Sequence, residues 1–205
     1  MPKRKGRRLP DVLTTDEQQA LLQQPNPKSP TGLRNLCMIR LMLNAGLRVA
    51  EVLSLKVRDV DLNTGKLSVR QGKGGKDRIL WLGESDLSLL QRWREKKPDS
   101  QLYFTTLAGG PLDARYMRQL VDRLAVKAGI QQTETTTDAS GRTVQRSKVH
   151  PHTLRHTFAT DLLRETKNIR LVQKALGHAS IGTTEIYTHI VDDELESALK
   201  GFRSA

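Results

Sequence analysis

A chain of 205 residues with a formal net charge of +12 and an isoelectric point of about 10.1 can form one large domain or two small ones, with a core that needs neither disulfides nor metals. So basic a balance favours nucleic acid or an anionic membrane surface as partner, a solvated basic surface being the simpler alternative. No apolar run reaches the length of a membrane span, and no apolar segment follows the basic N-terminus as it would in a secretory signal.

The only cysteine, Cys37, lies in an apolar helical pattern. We therefore predict a reduced thiol in the core of a cytoplasmic protein. No spacing of Cys and His residues is typical of a metal site, so the sequence predicts no metal, and we expect no other cofactor.

Residues 1–12 are predicted to form a basic arm or linker ahead of the folded domain. Residues 1–8 hold five positive charges and no apolar anchor, which is typical of a segment without regular structure. Such an arm either follows DNA phosphates or is a solvated tail. The candidate DNA-binding residues in it are Lys3, Arg4, Lys5, Arg7 and Arg8.

Capping signals predict the first two helices. Thr14 and Glu17 fit a capping box that opens a helix ending near Gln24, before a group of prolines. A longer apolar helix is expected over residues 31–45, and Gly46 suits the left-handed conformation that ends it.

A short helix is predicted directly after Arg48, with an acidic residue one turn further on. Glu51 can orient the Arg48 guanidinium from that position. The alternative is an exposed helical ion pair, which is common and weak.

Two short alternating segments, residues 66–70 and 77–82, predict an antiparallel hairpin with lysines at its tip. The tip is not a P-loop, because the spacing differs and a strand follows it. Lysines in a glycine-rich tip otherwise serve solubility. The candidate residues are Lys73 for catalysis and Lys76 and Arg78 for DNA contact.

The middle of the chain is predicted to be mainly helical. Amphipathic helices are expected over residues 85–97 and 113–128, with a short buried extended segment at 102–104 between them. Residues 131–148 are polar and rich in Thr and Ser, and we expect a flexible loop or a hairpin there.

All five histidines lie between residues 150 and 189, together with Tyr187. A central helix is predicted from His152, and a second one runs from a cap at Asn168 to Gly177. So dense a group of His, Arg and Tyr is typical of a phosphate-handling site. Residues 181–184 are expected to break the helical pattern before residues 185–189, and a final helix is expected over residues 192–200. The predicted fold class is therefore mainly α with a small antiparallel β-sheet (α+β).

Four motifs, in this order and at these separations, resemble those of the tyrosine recombinase (phage integrase) family. They are AGLRVAEVLSL around Arg48, GKGGKDR around Lys73, HTLRHTFAT around His152 and Arg155, and LGHASIGTTEIYTH with His178 and Tyr187. The resemblance runs from Leu13 to Tyr187 and is greatest to the Xer-like and integron-integrase-like branch.

This resemblance implies a DNA-cleaving and rejoining enzyme with the tyrosine recombinase catalytic fold over residues 13–205. The N-terminal core-binding domain of the family is expected to be absent, so the chain would be an isolated catalytic domain or a naturally minimal member. The implied partner is double-stranded DNA, and a homotetramer would assemble on it through the C-terminal helix. The implied catalytic set is Arg48, Lys73, His152, Arg155, His178 and Tyr187, supported by Glu51.

Each residue type in this set suits attack on a phosphodiester. Arginines can clamp the non-bridging oxygens on which charge builds up. Tyr187 would attack phosphorus and keep the bond energy in a 3′-phosphotyrosine, so that neither ATP nor a metal is required. Lys73 would protonate the leaving 5′ oxygen, as the resemblance implies. His152 would act as base or proton relay for Tyr187, and His178 would donate a hydrogen bond to phosphate.

Three alternatives remain open at this point. His152 and His156 are four residues apart, as in a zinc-binding HExxH helix, but the glutamate is missing and Arg155 would repel a dication. His156 is better explained as a packed, hydrogen-bonded histidine, and His150 and His189 as surface or supporting residues. A type IB topoisomerase-like or hairpin-resolving enzyme would share the same chemistry. A DNA-binding accessory protein is the non-enzymatic alternative, although phosphate binding alone requires no tyrosine at that spacing.

Overall fold

The computed structural model describes residues 11–70, 77–137 and 141–177, which form seven α-helices, one short 3₁₀ helix (Val57–Asp59) and two antiparallel hairpins. Predictions for residues 1–10, 71–76, 138–140 and 178–205 lie outside these ranges. No helix within them combines the length and apolar character that a membrane span requires. The helices are α1 (Thr15–Leu22), α2 (Pro30–Asn44), α3 (Val49–Ser54), α4 (Glu84–Lys96), α5 (Ala114–Lys127), α6 (Pro151–Thr166) and α7 (Ile169–Leu176), and the strands are β1 (Lys66–Val69), β2 (Arg78–Trp81), β3 (Thr133–Thr137) and β4 (Thr143–Ser147).

The helix ends follow the capping signals of the sequence. The Thr14 hydroxyl accepts from the Glu17 amide at 3.2 Å, and the Glu17 carboxylate accepts from the Thr14 amide at 2.9 Å, which completes the predicted capping box of α1. Asn168 caps α7 through its side-chain oxygen, as predicted. Gly46 and Gly177 both have positive φ angles, 62° and 65°, directly after α2 and α7.

The core is built around α2, which packs against both α4 and α6. Trp93 of α4 donates its indole N–H to the Tyr103 carbonyl at 2.9 Å, and the Tyr103 hydroxyl donates to the Leu90 carbonyl at 3.1 Å. The polar atoms of both large aromatics are therefore satisfied inside the core. Cys37 is 1% exposed, and burial raises the pKa of its thiol to about 12, in agreement with an unreactive core cysteine.

The two hairpins occupy the predicted positions. Strands β1 and β2 pair antiparallel with Lys66 opposite Trp81. The polar segment at 131–148 contains a second hairpin, β3 with β4, which decides between the two predicted possibilities. Its base is tied to the start of the domain by ion pairs from Arg146 to Asp11 at 2.9 Å and from Lys148 to Glu17 at 2.7 Å.

Candidate active site

The end of α2 and the start of α3 place the first candidate arginine. Gly46 turns the chain with its positive φ, and a Cβ there would lie 2.3 Å from the Phe158 ring of α6. This close approach brings the backbone next to α6. Arg48 then stands at the N-cap position of α3, and 38% of its side chain is exposed.

Glu51 is the centre of the site, because its carboxylate contacts three arginines. It is 8% exposed and accepts from the Arg48 amide at 2.7 Å and from Arg48 Nη1 at 3.0 Å. Arg78 donates to both carboxylate oxygens, at 2.8 and 2.9 Å. Arg155 Nη1 lies 3.7 Å from the carboxylate, within ion-pair range but beyond a hydrogen bond. Glu51 thus does more than orient Arg48, the role predicted for it.

These contacts keep Glu51 ionised. Burial alone would raise its pKa, but hydrogen bonds from Arg78 and the Arg48 amide, with the charges of Arg78 and Arg155, lower the pKa to about 2. A depressed carboxyl pKa adds stability above its ordinary value of 4.5, and this stability is lost as the pH falls towards 2. At neutral pH the carboxylate therefore neutralises one arginine charge of three.

Arg155 is buried, at 6% exposure, although it was predicted as a phosphate clamp from sequence alone. Its Nη1 donates to the Gly46 carbonyl and its Nη2 to the Leu176 carbonyl at 2.7 Å. One guanidinium thus joins α6 to the ends of α2 and α7.

Arg78 lies inside the domain rather than on the DNA-facing surface for which it was predicted. Its side chain is 5% exposed, and its Nε donates to the Ala175 carbonyl at 2.7 Å besides the two bonds to Glu51. The reason is strand alternation: Arg78 and Leu80 of β2 point inward, whereas Ile79 and Trp81 are exposed. That alternation was visible in the sequence and could have indicated a buried arginine.

The histidines at the start of α6 have different environments. His152 is exposed, and its ring centroid lies 6.1 Å from that of His150. His150 caps α6 by accepting from the Thr153 amide at 3.3 Å, a structural role that the sequence analysis did not predict. His156 is half-buried, and burial together with the nearby charges of His152, His150 and Arg155 lowers its pKa to about 4. It is therefore neutral at pH 7, which suits a packed histidine.

The described residues thus bring Arg48, Glu51 and Arg155 together, with His152 on the first turn of α6. Within residues 11–70, 77–137 and 141–177 no three His, Cys, Asp or Glu side chains converge as metal ligands would. The remaining candidates lie outside the described residues, namely Lys73, His178, Tyr187, Lys76, Lys3, Arg4, Lys5, Arg7 and Arg8, together with His189.

The sequence model described as the Phage integrase family matches residues 11–194, nearly the whole chain. The chain belongs to the phage integrase family. This confirms the resemblance inferred from the four motifs.

Comparison with individual proteins supports the same family assignment. The tyrosine recombinase XerD of Staphylococcus saprophyticus is 34% identical over 203 residues, which cover 96% of this chain and 63% of that protein. A crystal structure of XerA recombinase superposes with a TM-score of 0.75 at 31% identity, covering 100% of this chain and 68% of the other. XerH bound to palindromic difH substrate, in a post-cleavage complex, has a TM-score of 0.76 at 31% identity, over 99% of this chain and 56% of that one.

These similarities confirm the predicted fold class, mainly α with small antiparallel sheets. The chain spans about 63% of the length of the XerD relative. In this phage integrase fold, Arg48 and Arg155 come from helices more than a hundred residues apart and meet at one carboxylate. Three arginines against one glutamate leave two positive charges at the site, and such a surplus can stabilise a phosphate whose negative charge grows in the transition state.

Proposed function

We propose that the protein is a site-specific DNA recombinase that cleaves and rejoins strands through a covalent 3′-phosphotyrosyl intermediate. The observation that carries this is the pairing of Arg48 and Arg155 through Glu51 in a member of the phage integrase family. The related XerD and XerA proteins are recombinases, which favours this activity over the topoisomerase-like and accessory alternatives.

The proposed reaction consists of two exchanges at one phosphorus atom. The Tyr187 oxygen forms a bond to phosphorus, the bond to the 5′ oxygen breaks, and Lys73 gives that oxygen a proton. His152 takes the phenol proton or relays it, and His178 donates a hydrogen bond to the phosphate. The 5′ hydroxyl of a second duplex then attacks the phosphotyrosine and releases Tyr187. One ester replaces another in each exchange, so the bond energy is retained.

Covalent capture of DNA tests the proposed activity directly. The protein is incubated with a library of nicked duplexes, from which the short 5′-hydroxyl product diffuses away after cleavage. Sequencing of the DNA that stays attached to protein would define the target site. If no duplex in the library becomes attached while the protein is folded, the proposed activity is wrong.

We predict that Lys73→Ala slows cleavage of ordinary DNA far more than cleavage of a substrate with sulfur in place of the 5′-bridging oxygen. A thiol has a pKa near 8.5 and leaves without protonation, so sulfur removes the need for an acid. The measurement compares the two substrates for wild type, Lys73→Ala and Lys76→Ala. Rescue in Lys76→Ala instead of Lys73→Ala would make Lys76 the acid, and equal slowing on both substrates would contradict the assignment.

The proposed partners are double-stranded DNA and further copies of this chain, and the proposed location is the cytoplasm, on DNA. The net charge of +12 supports DNA binding through phosphates. The basic residues of the N-terminal arm and Lys76 are the proposed DNA contacts. Residues 13–205 are proposed to form one catalytic domain. Strand exchange between two duplexes uses four cleavage sites, which supports a homotetramer.

The proposed tetramer contact is the segment after Tyr187. Residues 191–202 carry apolar residues at helical spacing, which indicates an amphipathic helix. Exchange of this helix between protomers would place Tyr187 under a neighbour's control. The alternative is that the helix packs on its own domain. The apolar positions are Val191, Leu195, Ala198, Leu199 and Phe202.

Deletion of residues 192–205 is therefore expected to leave a folded, DNA-binding domain that no longer assembles on paired sites. The reason is that the lost apolar face would serve a neighbour rather than the domain's own core. Sedimentation on DNA with two sites, beside circular dichroism of the free protein, measures assembly and folding separately. Unchanged assembly, or unfolding of the truncated chain, would instead indicate that the helix packs within its own protomer.

A further inference from the structure

Glu51 contacts three arginines unequally. The buried Arg78 makes two side-chain hydrogen bonds to its carboxylate, more than either of the others. Arg78 reaches both carboxylate oxygens with its two terminal nitrogens, at 2.8 and 2.9 Å. Arg155 stays 3.7 Å away, and Arg48 uses one terminal nitrogen and its backbone amide. All three guanidinium nitrogens of Arg78 donate to groups of the domain, namely the Glu51 carboxylate and the Ala175 carbonyl.

We propose that Arg78 is a positioning residue that satisfies Glu51, so that this carboxylate does not draw Arg48 and Arg155 away from the phosphate. The proposal rests on the function proposed above and adds a residue that acts through Glu51. A parallel pair of N–H bonds is the strongest way in which an arginine binds a carboxylate, and lysine cannot reproduce it.

The reason lies in what the carboxylate would do without this partner. A buried carboxylate that has lost its main cation attracts the nearest remaining ones. Arg155 would need to move by only about 1 Å to reach hydrogen-bonding distance of the carboxylate. Glu51 would then hold both Arg48 and Arg155, and less positive charge would face the phosphate.

Arg78 also holds the end of α7. Its Nε binds the Ala175 carbonyl at 2.7 Å, next to the Leu176 carbonyl that Arg155 binds at 2.7 Å. Carbonyls in the last turn of a helix have no partner within the helix, and cations are favoured there. The two arginines therefore bind adjacent carbonyls of the same helix end.

The test compares Arg78→Gln, Arg78→Lys and the double variant Arg78→Gln with Glu51→Gln. The matched control is Arg34→Gln, because Arg34 is equally buried, at 4% exposure, and binds the Thr105 carbonyl at 2.8 Å near the opposite end of α2. Formation of the covalent DNA adduct is measured in a single turnover, at a temperature where circular dichroism shows each variant to be folded.

We expect Arg78→Gln to slow cleavage about tenfold to a hundredfold, the scale of a displaced catalytic group, and Arg34→Gln to cleave like wild type. Arg78→Lys should also be slow, because it keeps the charge but loses the paired bonds. The double variant should cleave faster than Arg78→Gln, because the competing carboxylate has gone. Cleavage by folded Arg78→Gln at the rate of Arg34→Gln, or no recovery in the double variant, overturns the proposal.

A second readout does not depend on DNA cleavage. In protein labelled with ¹⁵N-arginine, the Arg155 guanidinium resonance is assigned with an Arg155→Lys variant. It should shift in Arg78→Gln, remain in place in Arg34→Gln, and return towards its original position in the double variant. An unchanged resonance in Arg78→Gln overturns the proposal. If wild type cleaves no DNA, the proposed function fails, and these resonances still decide whether Arg78 controls the clamp.

Discussion

Replacement of Tyr187 by phenylalanine is expected to abolish covalent attachment to DNA and to leave DNA binding almost unchanged. The phenol oxygen is the atom that would bond to phosphorus, and no other group in the variant replaces it. The other two tyrosines are engaged in the fold: the Tyr103 hydroxyl binds the Leu90 carbonyl, and the Tyr116 hydroxyl binds Asn35 at 2.8 Å. Burial also raises the pKa of Tyr103, which opposes a phenolate there.

The measurement is the amount of protein–DNA adduct on a nicked duplex, with binding followed separately by a mobility shift. Tyr103→Phe and Tyr116→Phe are the controls, and both should still form adduct when folded. Adduct in Tyr187→Phe, or its loss in a folded control variant, would show that another residue is the nucleophile.

Replacement of Arg48 or of Arg155 by alanine is expected to reduce the rate of DNA cleavage at least about a hundredfold, the scale of losing one charge-stabilising donor. The two variants should differ in stability. Arg48→Ala removes a partly exposed side chain, whereas Arg155→Ala leaves the buried Gly46 and Leu176 carbonyls without their donor. Each carbonyl left unsatisfied in the interior costs about 1–3 kcal/mol. We therefore expect a clear loss of unfolding free energy only in Arg155→Ala.

Single-turnover cleavage and urea unfolding are measured on the same preparations. Arg92→Ala is the control for Arg48→Ala, since Arg92 is an exposed arginine of α4 whose contact is the Pro27 carbonyl at 3.1 Å. Cleavage by Arg48→Ala at the rate of Arg92→Ala would remove Arg48 from the clamp. Equal stability of the Arg48 and Arg155 variants would contradict the buried contacts of Arg155.

Helices and the first hairpin could be predicted because their signals are local. The capping box at Thr14, the side-chain cap at Asn168 and the glycine at 177 each act within four residues of the chain. Hydrophobic periodicity then placed each end of α4 and α5 within one residue of its observed position. The clamp arginines and Glu51 were found through motifs whose order and spacing are specific to one family.

The position of Arg78 could not be read in the same way, because its partners are distant in sequence. They lie 27 residues before it, at Glu51, and 97 residues after it, at Ala175. Strand alternation puts Arg78 on the same face as Leu80, but tertiary contacts decide which face of the hairpin is buried. His150 is a similar case: its ring replaces the Ser, Thr, Asp or Asn that usually caps a helix.

The bond from Arg155 to the Gly46 carbonyl joins residues 109 positions apart. During synthesis at about 5–20 residues per second, roughly 5–20 s separate the appearance of these two residues. The carbonyls of α7 follow later still, and Tyr187 after them. An incomplete chain on the ribosome therefore carries Arg48 and Glu51 without Arg155 and the other residues of the proposed site. For the proposed activity, the order of residues along the chain would delay DNA cleavage until Tyr187 has been made.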